Sequence, residues 1–289
     1  MKKKDYNIKI FAEIINDVDF INMTIDYMKV HRLLVFLLYK LTILGFWQMV
    51  MIFSPMMRLA VTVKSLYHTK LQYDKMNIEE SIFYDTMQDI NIWVNDYRDR
   101  TGKIGLEEFN WIRLHITMKI FKLGRLQFEL AKYHFSKDYS EELKRGDKCL
   151  NIHIPRGESL DIDKCKKSFI EANVFFSKHF NQYNTNYAVC SSWLLFSGNK
   201  MFMKEGSNIL LFRELFDIIE ECERPFDAIR FTFWEQINNN KWIRDRKKYG
   251  YYIDMKKFEC TTSLHSKMID YVKKGGVLGV ANGVVCCIN

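Results

Sequence analysis

A histidine closes an alternating run in the stretch LNIHIPRGESL, Leu150 to Leu160. Leu150, Ile152 and Ile154 fall on one side of a strand, Asn151 and His153 on the other. Pro155, Arg156 and Gly157 then break the strand. A histidine with an ordinary pKa of about 6.5 accepts a proton near neutrality, so His153 is a candidate general base. It could equally hold the Pro-Arg-Gly turn by hydrogen bonding, and the sequence leaves both roles open. Other runs alternate in the same way. In RLQFEL the polar set is Arg125, Gln127 and Glu129. In NYAVCSSW, Ala188, Cys190 and Ser192 alternate with Tyr187, Val189, Ser191 and Trp193. In AIRFTFW, Arg230 and Thr232 alternate with Ile229, Phe231 and Phe233. If these are neighbouring strands, Arg125, Gln127, Glu129, Asn151, His153, Cys190, Ser192, Arg230 and Thr232 form one polar floor holding a base, a thiol and carboxylate or amide partners. Such a floor supports proton transfer by His153 or Glu129, or a covalent route through Cys190 with His153 as its base. The plain alternative is a solvated sheet face, with Cys190 a small apolar filler and Trp193 a core residue. His115, His134 and His179 have no evident partner along the chain. HExxH, GxSxG, Walker A and GxGxxG motifs are all missing from the sequence.

The elements that must position these residues fall into two parts. Residues 1–116 carry the 3.6-residue period of helices. In NIEESIFYDTMQDINIWVNDYRDRTG, Phe83, Met87, Ile90, Val94 and Tyr97 make one stripe, Asn77 is the expected cap and Gly102 the stop. A second helix is expected through Phe109, Ile112, Ile116 and Ile120, stopped by Gly124. From residue 117 the period shortens to two. Strands are expected at Leu126–Leu130, Leu150–Ile154, Tyr187–Trp193 and Ile229–Trp234. ILLFRELFDII, from Ile209, is also expected as strand. Helices are expected in DIDKCKKSFIEANVFFSKHF and in TTSLHSKMIDYVKKGG, and VLGVANGVVCCIN as a glycine-loosened strand or hairpin. The expected architecture is α+β: a helical domain, residues 1–116, followed by a mixed-sheet domain, residues 117–289.

Size and composition bound the function. The chain has 289 residues and 48% hydrophobic content, enough for a sizeable core. The charge of +8 is uneven: residues 1–116 hold 15 basic against 14 acidic side chains, residues 117–289 hold 28 against 21. The basic excess favours an anionic partner such as a nucleotide, a phosphorylated cofactor or a nucleic acid, and a non-catalytic binding module for such a partner is an alternative to an enzyme. The lack of a basic stripe interleaved with aromatics argues against nucleic acid. Seven cysteines without a CxxC pair argue against a disulfide framework or zinc site and for a reducing cytoplasm. The basic start MKKKDYNIKIF lacks an apolar h-region, so no signal peptide is expected. Leu41–Met57 is an uncharged run of 17 residues, short of the ~20 needed to span a bilayer. It is expected as a buried helix, and a membrane partner is not expected.

The blocks GLEEFNWIRLHITMKIFKLGRLQFEL, LNIHIPRGESL, FFSKHF, VCSSWLL, SNILLFRELF and TTSLHSKMIDYVKKGGVLGVANG occur in an order that resembles a bacterial acyltransferase family. Its members join a helical N-acyltransferase N-terminal domain to a GNAT-like C-terminal domain. The resemblance runs from about Asn77 to Val285. It implies a GNAT-like mixed sheet that splays open to admit the pantetheine arm of acetyl-CoA or another acyl-CoA. The acyl group then passes directly to a small-molecule amine acceptor, without a metal. On matching positions it implies His153, Glu129, Cys190 and Ser192 as catalytic candidates. Asn151, Arg156, Gly157, Gln127 and Trp193 are the matching candidates for binding the co-substrate. The family's usual Q/R-x-x-G-x-G/A phosphate loop is missing here. IPRGESLDIDKC could substitute, but Glu158, Asp161 and Asp163 would repel phosphate. The stretch NNNKWIRDRKKYGYYIDMKK is an additional charged excursion.

Overall fold

The computed structural model describes residues 3–239, 255 and 258–287. Of the charged excursion Asn238–Lys257, residues 240–254, 256 and 257 lie outside the described residues. The chain divides into two compact units. One comprises Met1–Leu123, Gln127–Glu129 and Ile154–Gly157; the other holds Gly124–Leu126, Leu130–His153 and Glu158–Asn289.

The first unit is built on helices α1 (Lys3–Ile14), α2 (Val18–Val30), α3 (Arg32–Ile43), α4 (Gln48–Met51), α5 (Pro55–Lys75), α6 (Glu80–Thr101) and α7 (Phe109–Ile116). Helix α5 starts where Ser54 Oγ accepts the Met57 N–H at 3.3 Å and Pro55 supplies a preset φ at the first turn. It buries Met57, Leu59, Val61, Val63, Leu66 and Tyr73, and α1, α2, α3 and α7 pack on it. Helix α6 buries Phe83, Met87, Ile90 and Val94, the expected stripe, and ends at Gly102 with φ +66. Asn77 does not cap it. That residue sits at φ +51, three positions before the helix, in the turn after α5. The expected second helix is shorter than its apolar spacing suggests. Met118 at φ +56 stops α7, and Ile120 starts strand β1 (Ile120–Leu123). The uncharged run Leu41–Met57 is not one buried helix. Gly45 at φ +93 and the Ser54-Pro55 pair break it, and Leu44, Phe46, Met49 and Ile52 lie exposed. Among the described residues no helix is long and apolar enough to cross a membrane.

After β1 come β2 (Leu126–Lys132), β3 (Lys148–His153), α8 (Ile162–His179), β4 (Tyr187–Ser192), α9 (Asn208–Arg213) and β5 (Asp217–Glu223). The chain closes with α10 (Pro225–Thr232), α11 (Trp234–Asn239), α12 (Ser263–Lys273) and β6 (Gly279–Cys286). The sheet order is β1-β2-β3-β4-β6-β5. Strands β3 and β4 run parallel, joined through α8, and β6 inserts antiparallel between β4 and β5. Two expected strands are corrected. AIRFTFW lies in α10 and the start of α11, where Pro225 opens a helix that buries Ala228 and Ile229. ILLFRELFDII splits into α9 and the start of β5. The final apolar stretch is one strand.

Residues paired across a ladder share a face, so the β4–β6–β5 register fixes which side chains meet. Cys190 pairs with Gly283 and Gly283 with Ile218. A Cβ on Gly283 would lie 2.9 Å from Phe216 Cβ and 3.3 Å from Leu195 Cδ1. This face is packed. Gly283→Val should therefore lower stability by about 1–3 kcal/mol, read as a shift of the urea midpoint at unchanged slope. A neutral result would mean that the face is loosely filled.

Candidate active site at the end of the parallel strand pair

The parallel ladder pairs Leu150 with Ala188 and Asn151 with Val189. Beyond Val189 no β3 partner is registered for Cys190, Ser191 or Ser192, although all three continue to pair with β6. The paired stretch thus stops two residues before the end of β3 and three before the end of β4. Parity then assigns the side chains. Asn151 and His153 share a face with Tyr187, Val189 and Ser191. Ser191 pairs with Asn282, and Asn282 with Glu220 of β5. His153, Ser191, Asn282 and Glu220 consequently form one polar row on one face, across β3, β4, β6 and β5. Nearer the start of β4 the same face is closed by Tyr133, Phe135 and Leu143 over Cys149, Val189 and Val284. Ser191 is exposed, so the row opens where the ladder stops.

The row has internal order. His153 is half-buried, and its Nε2 lies 3.1 Å from the amide nitrogen of Asn151. An amide N–H only donates, so Nε2 is the accepting nitrogen and the neutral ring carries its proton on Nδ1. Asn282 donates to Glu220 Oε1 at 2.7 Å, and the Ser136 N–H donates to the same oxygen at 3.3 Å. Hydrogen bonds from Ser136 and Asn282 hold the Glu220 carboxyl below the usual carboxylate range, against a smaller opposing effect of burial.

The expected floor is corrected in one decisive respect. Cys190 and Ser192 lie on the opposite face from His153. Cys190 is fully buried, with Leu195 and Phe216 beside its partner Gly283. Burial pushes its thiol up to about 12, so no thiolate is present near neutrality and no base stands beside it. Ser192 Oγ accepts the Leu194 N–H at 3.2 Å and caps the short turn Trp193–Leu195. Trp193 is core, packed with Phe202, Ile229, Phe233 and Met268. Arg230 and Thr232 are in α10 and contribute no strand to the face.

The remaining candidates have their own partners. Arg156 Nη1 lies 3.4 Å from Asp96 Oδ1, and Gly157 takes φ +93 in the turn after β3. At the start of α8, Asp161 accepts the Lys164 N–H at 3.0 Å, so the helix N-terminus already serves a resident carboxylate. Arg125, buried rather than on a polar floor, donates from its guanidinium to the carbonyls of Glu158 and Ser159, each at 2.8 Å. It thereby fixes the segment leading into α8. Among the described residues no cluster could hold a metal ion.

Within the first unit lies a cluster that sequence spacing did not reveal. The buried Asp89 carboxylate accepts from the indoles of Trp93 and Trp111, and from Gln127. His115 Nε2 lies 3.3 Å from the same oxygen, and the ring is fully buried. Gln127 is thus part of this buried cluster, and Glu129 stands within electrostatic reach of Arg113. Burial alone would raise the Asp89 pKa, but the combined hydrogen bonds and the neighbouring His115 hold it below the ordinary value. A depressed folded-state pKa stabilises above the unfolded value of about 3.9 and loses that contribution as pH falls further. Asp89→Ala should cost about 3 kcal/mol at neutral pH. In urea titrations at descending pH, the variant should also show a shallower loss of stability below about pH 4 than the parent.

Comparison with known proteins follows from this geometry. Residues 48–118 match the N-acyltransferase N-terminal domain, and residues 120–285 match the GNAT-like C-terminal domain. No curated protein matches the chain. Among solved structures, it is similar to an acyltransferase in complex with decanoyl-CoA and teicoplanin, with TM-score 0.65 and 20% identity. An acyltransferase in complex with CoA and 10C-teicoplanin gives the same TM-score and identity. In both cases 80% of this chain is covered, and 66% of the solved chain. The chain thus spans about two thirds of the length of these structures. The match of residues 120–285 covers more than half of the sequence: the chain belongs to the family defined by the GNAT-like C-terminal domain, here preceded by an N-acyltransferase N-terminal domain.

Proposed function

We propose that this protein is an acyl-CoA-dependent N-acyltransferase that passes the acyl group directly from the thioester to an amine. The observation that carries this reading is the early stop of the parallel ladder beside a half-buried polar row that opens to solvent at Ser191. The strand edge left there by Cys190–Ser192 supports docking of an extended, amide-bearing arm such as pantetheine, by added-strand hydrogen bonding. The decanoyl-CoA and CoA bound by the solved relatives support a CoA thioester as the donor. Teicoplanin in those crystals supports an acceptor larger than a simple amine. Seven free cysteines support a reducing, cytoplasmic setting.

His153 Nε2 is the proposed base, directly or through one water. The acceptor nitrogen attacks the thioester carbon, the new C–N bond forms and the C–S bond breaks. His153 takes the proton that the amine loses and returns it to the departing thiolate through the Ser191 hydroxyl, which gives up one proton and regains another, so the products are the amide and the free thiol. Ser191 replaces Ser192 in this role, because only Ser191 shares the His153 face. In this structure the Nε2 lone pair accepts the Asn151 amide N–H, which fixes the tautomer; that hydrogen bond must be given up before Nε2 takes the acceptor's proton. Placing thioester and amine together can supply ~7–11 kcal/mol, and proton transfer a further ~10²–10⁴-fold. Arg156, Gly157 and Glu129 belong to the first unit and are given no role in this row.

A covalent relay through Cys190 is disfavoured by its burial and by the sheet that separates it from His153. Cys190→Ala should keep transfer within about threefold of the parent, whereas His153→Ala should lower kcat by about 10²–10⁴ with little change in KM for acyl-CoA. Thermal stabilisation by acyl-CoAs of increasing chain length tests the donor. A rise in Tm with CoA thioesters, retained in His153→Ala, is expected. Transfer abolished in Cys190→Ala, with an acylated cysteine in the parent, would overturn direct transfer.

A further inference from the structure

Helix α3 is apolar on both sides. Val35, Leu38 and Tyr39 are buried, and α3 packs on α5. Leu33, Phe36 and Leu37 face solvent, with Leu33 84% exposed. Further along the chain Leu44, Phe46 and Ile52 are also 69%, 58% and 75% exposed. A water-facing helix of a globular unit ordinarily presents polar residues outward, so this face needs a cover. Charge indicates which one. No Asp or Glu occurs between Asp26 and Asp74, and Arg32 and Lys40 are exposed along α3, while Lys29 is paired with Asp26 at 2.6 Å. Lys40 Nζ rides over the rings of Phe36 and Tyr39 at 5.7 and 5.5 Å, its stem along the apolar face.

A second copy of the chain fits this face poorly. An isologous contact would set Arg32 and Lys40 against the same cations, with no carboxylate in this stretch to answer them. An anionic lipid surface answers both features: acyl chains receive the leucines, phenylalanines and isoleucine, and headgroup phosphates receive the cations. Twelve residues of α3 extend about 18 Å, too short to span a bilayer but suited to lying in its plane. We propose that the exposed face of α3 and the following segment to Ile52 is an interfacial docking surface for anionic membranes. This inference is independent of the catalytic assignment. It revises the expectation of no membrane partner: the chain docks on a bilayer without crossing it.

Flotation of the full chain with vesicles of phosphatidylcholine containing about one third phosphatidylglycerol tests it. Binding is expected to these vesicles, not to pure phosphatidylcholine, and to weaken as salt rises from about 0.1 to about 0.5 M. Lys40→Gln should lower partitioning by about fivefold, and the combined Leu33→Ser, Leu37→Ser and Leu44→Ser variant should abolish it. If the triple variant melts early, Leu44→Ser alone carries the test through its loss of binding. No binding to anionic vesicles, equal binding to neutral ones, or binding unchanged in these variants overturns the proposal. A dimer in sedimentation velocity that the same substitutions dissolve, without vesicle binding, would assign the face to a second copy instead.

Discussion

The pairing of two parallel strands, and the point at which it ends, governs the chemistry available to this protein. Strands β3 and β4 register at Leu150 with Ala188 and at Asn151 with Val189, and β4 then continues with β6 alone. Because side chains alternate across a sheet, that register decides by parity which groups can cooperate. It joins His153 to Ser191, Asn282 and Glu220 and sends Cys190 to the packed side. A base and a thiol three dozen residues apart in sequence are thereby separated by the thickness of a sheet. The same termination leaves strand edge on β4 beside the polar row, the feature on which the proposed docking of a thioester donor rests.

Interactions in each unit support this arrangement. In the sheet unit, Arg125 holds the carbonyls of Glu158 and Ser159, and Asp161 caps α8. The crossover between the two parallel strands is therefore anchored at its entry. Burial of a guanidinium is costly unless its donors are used, and two of them are used on this segment. In the helical unit, Asp89 gathers the indole donors of Trp93 and Trp111 and the Gln127 amide, with His115 beside it. Its burial and satisfied bonding mark it as a positioning cluster, without the access to solvent that substrate chemistry needs.

Much of the architecture was legible in the sequence. The shift from a 3.6-residue to a 2-residue period separates the helical part from the strands, and the blocks around GRLQFE, HIPRG and VCSSWLL resemble the family to which the chain belongs. The Asn151–His153 pair was legible because buried and half-buried residues alternate from Leu150 to His153. The face of β4 was not. Ala188, Val189 and Cys190 are all buried, so both faces of its centre are packed and alternation carries no sign. AIRFTFW alternates as well as any strand, yet Pro225 and burial on the α12 side make it helix. The Asp89 cluster draws on three separate elements, and no local spacing could announce it. Ser191, Asn282 and Glu220 become a row only once β6 is known to lie between β4 and β5.

Hydrogen exchange of backbone amides, followed by mass spectrometry with and without a non-hydrolysable acyl-CoA thioether, tests insertion at the strand edge most directly. Docking of the pantetheine arm predicts new protection in the peptide covering Cys190–Ser192. Protection confined to other segments, with the exchange of Cys190–Ser192 unchanged at saturating ligand, would contradict it.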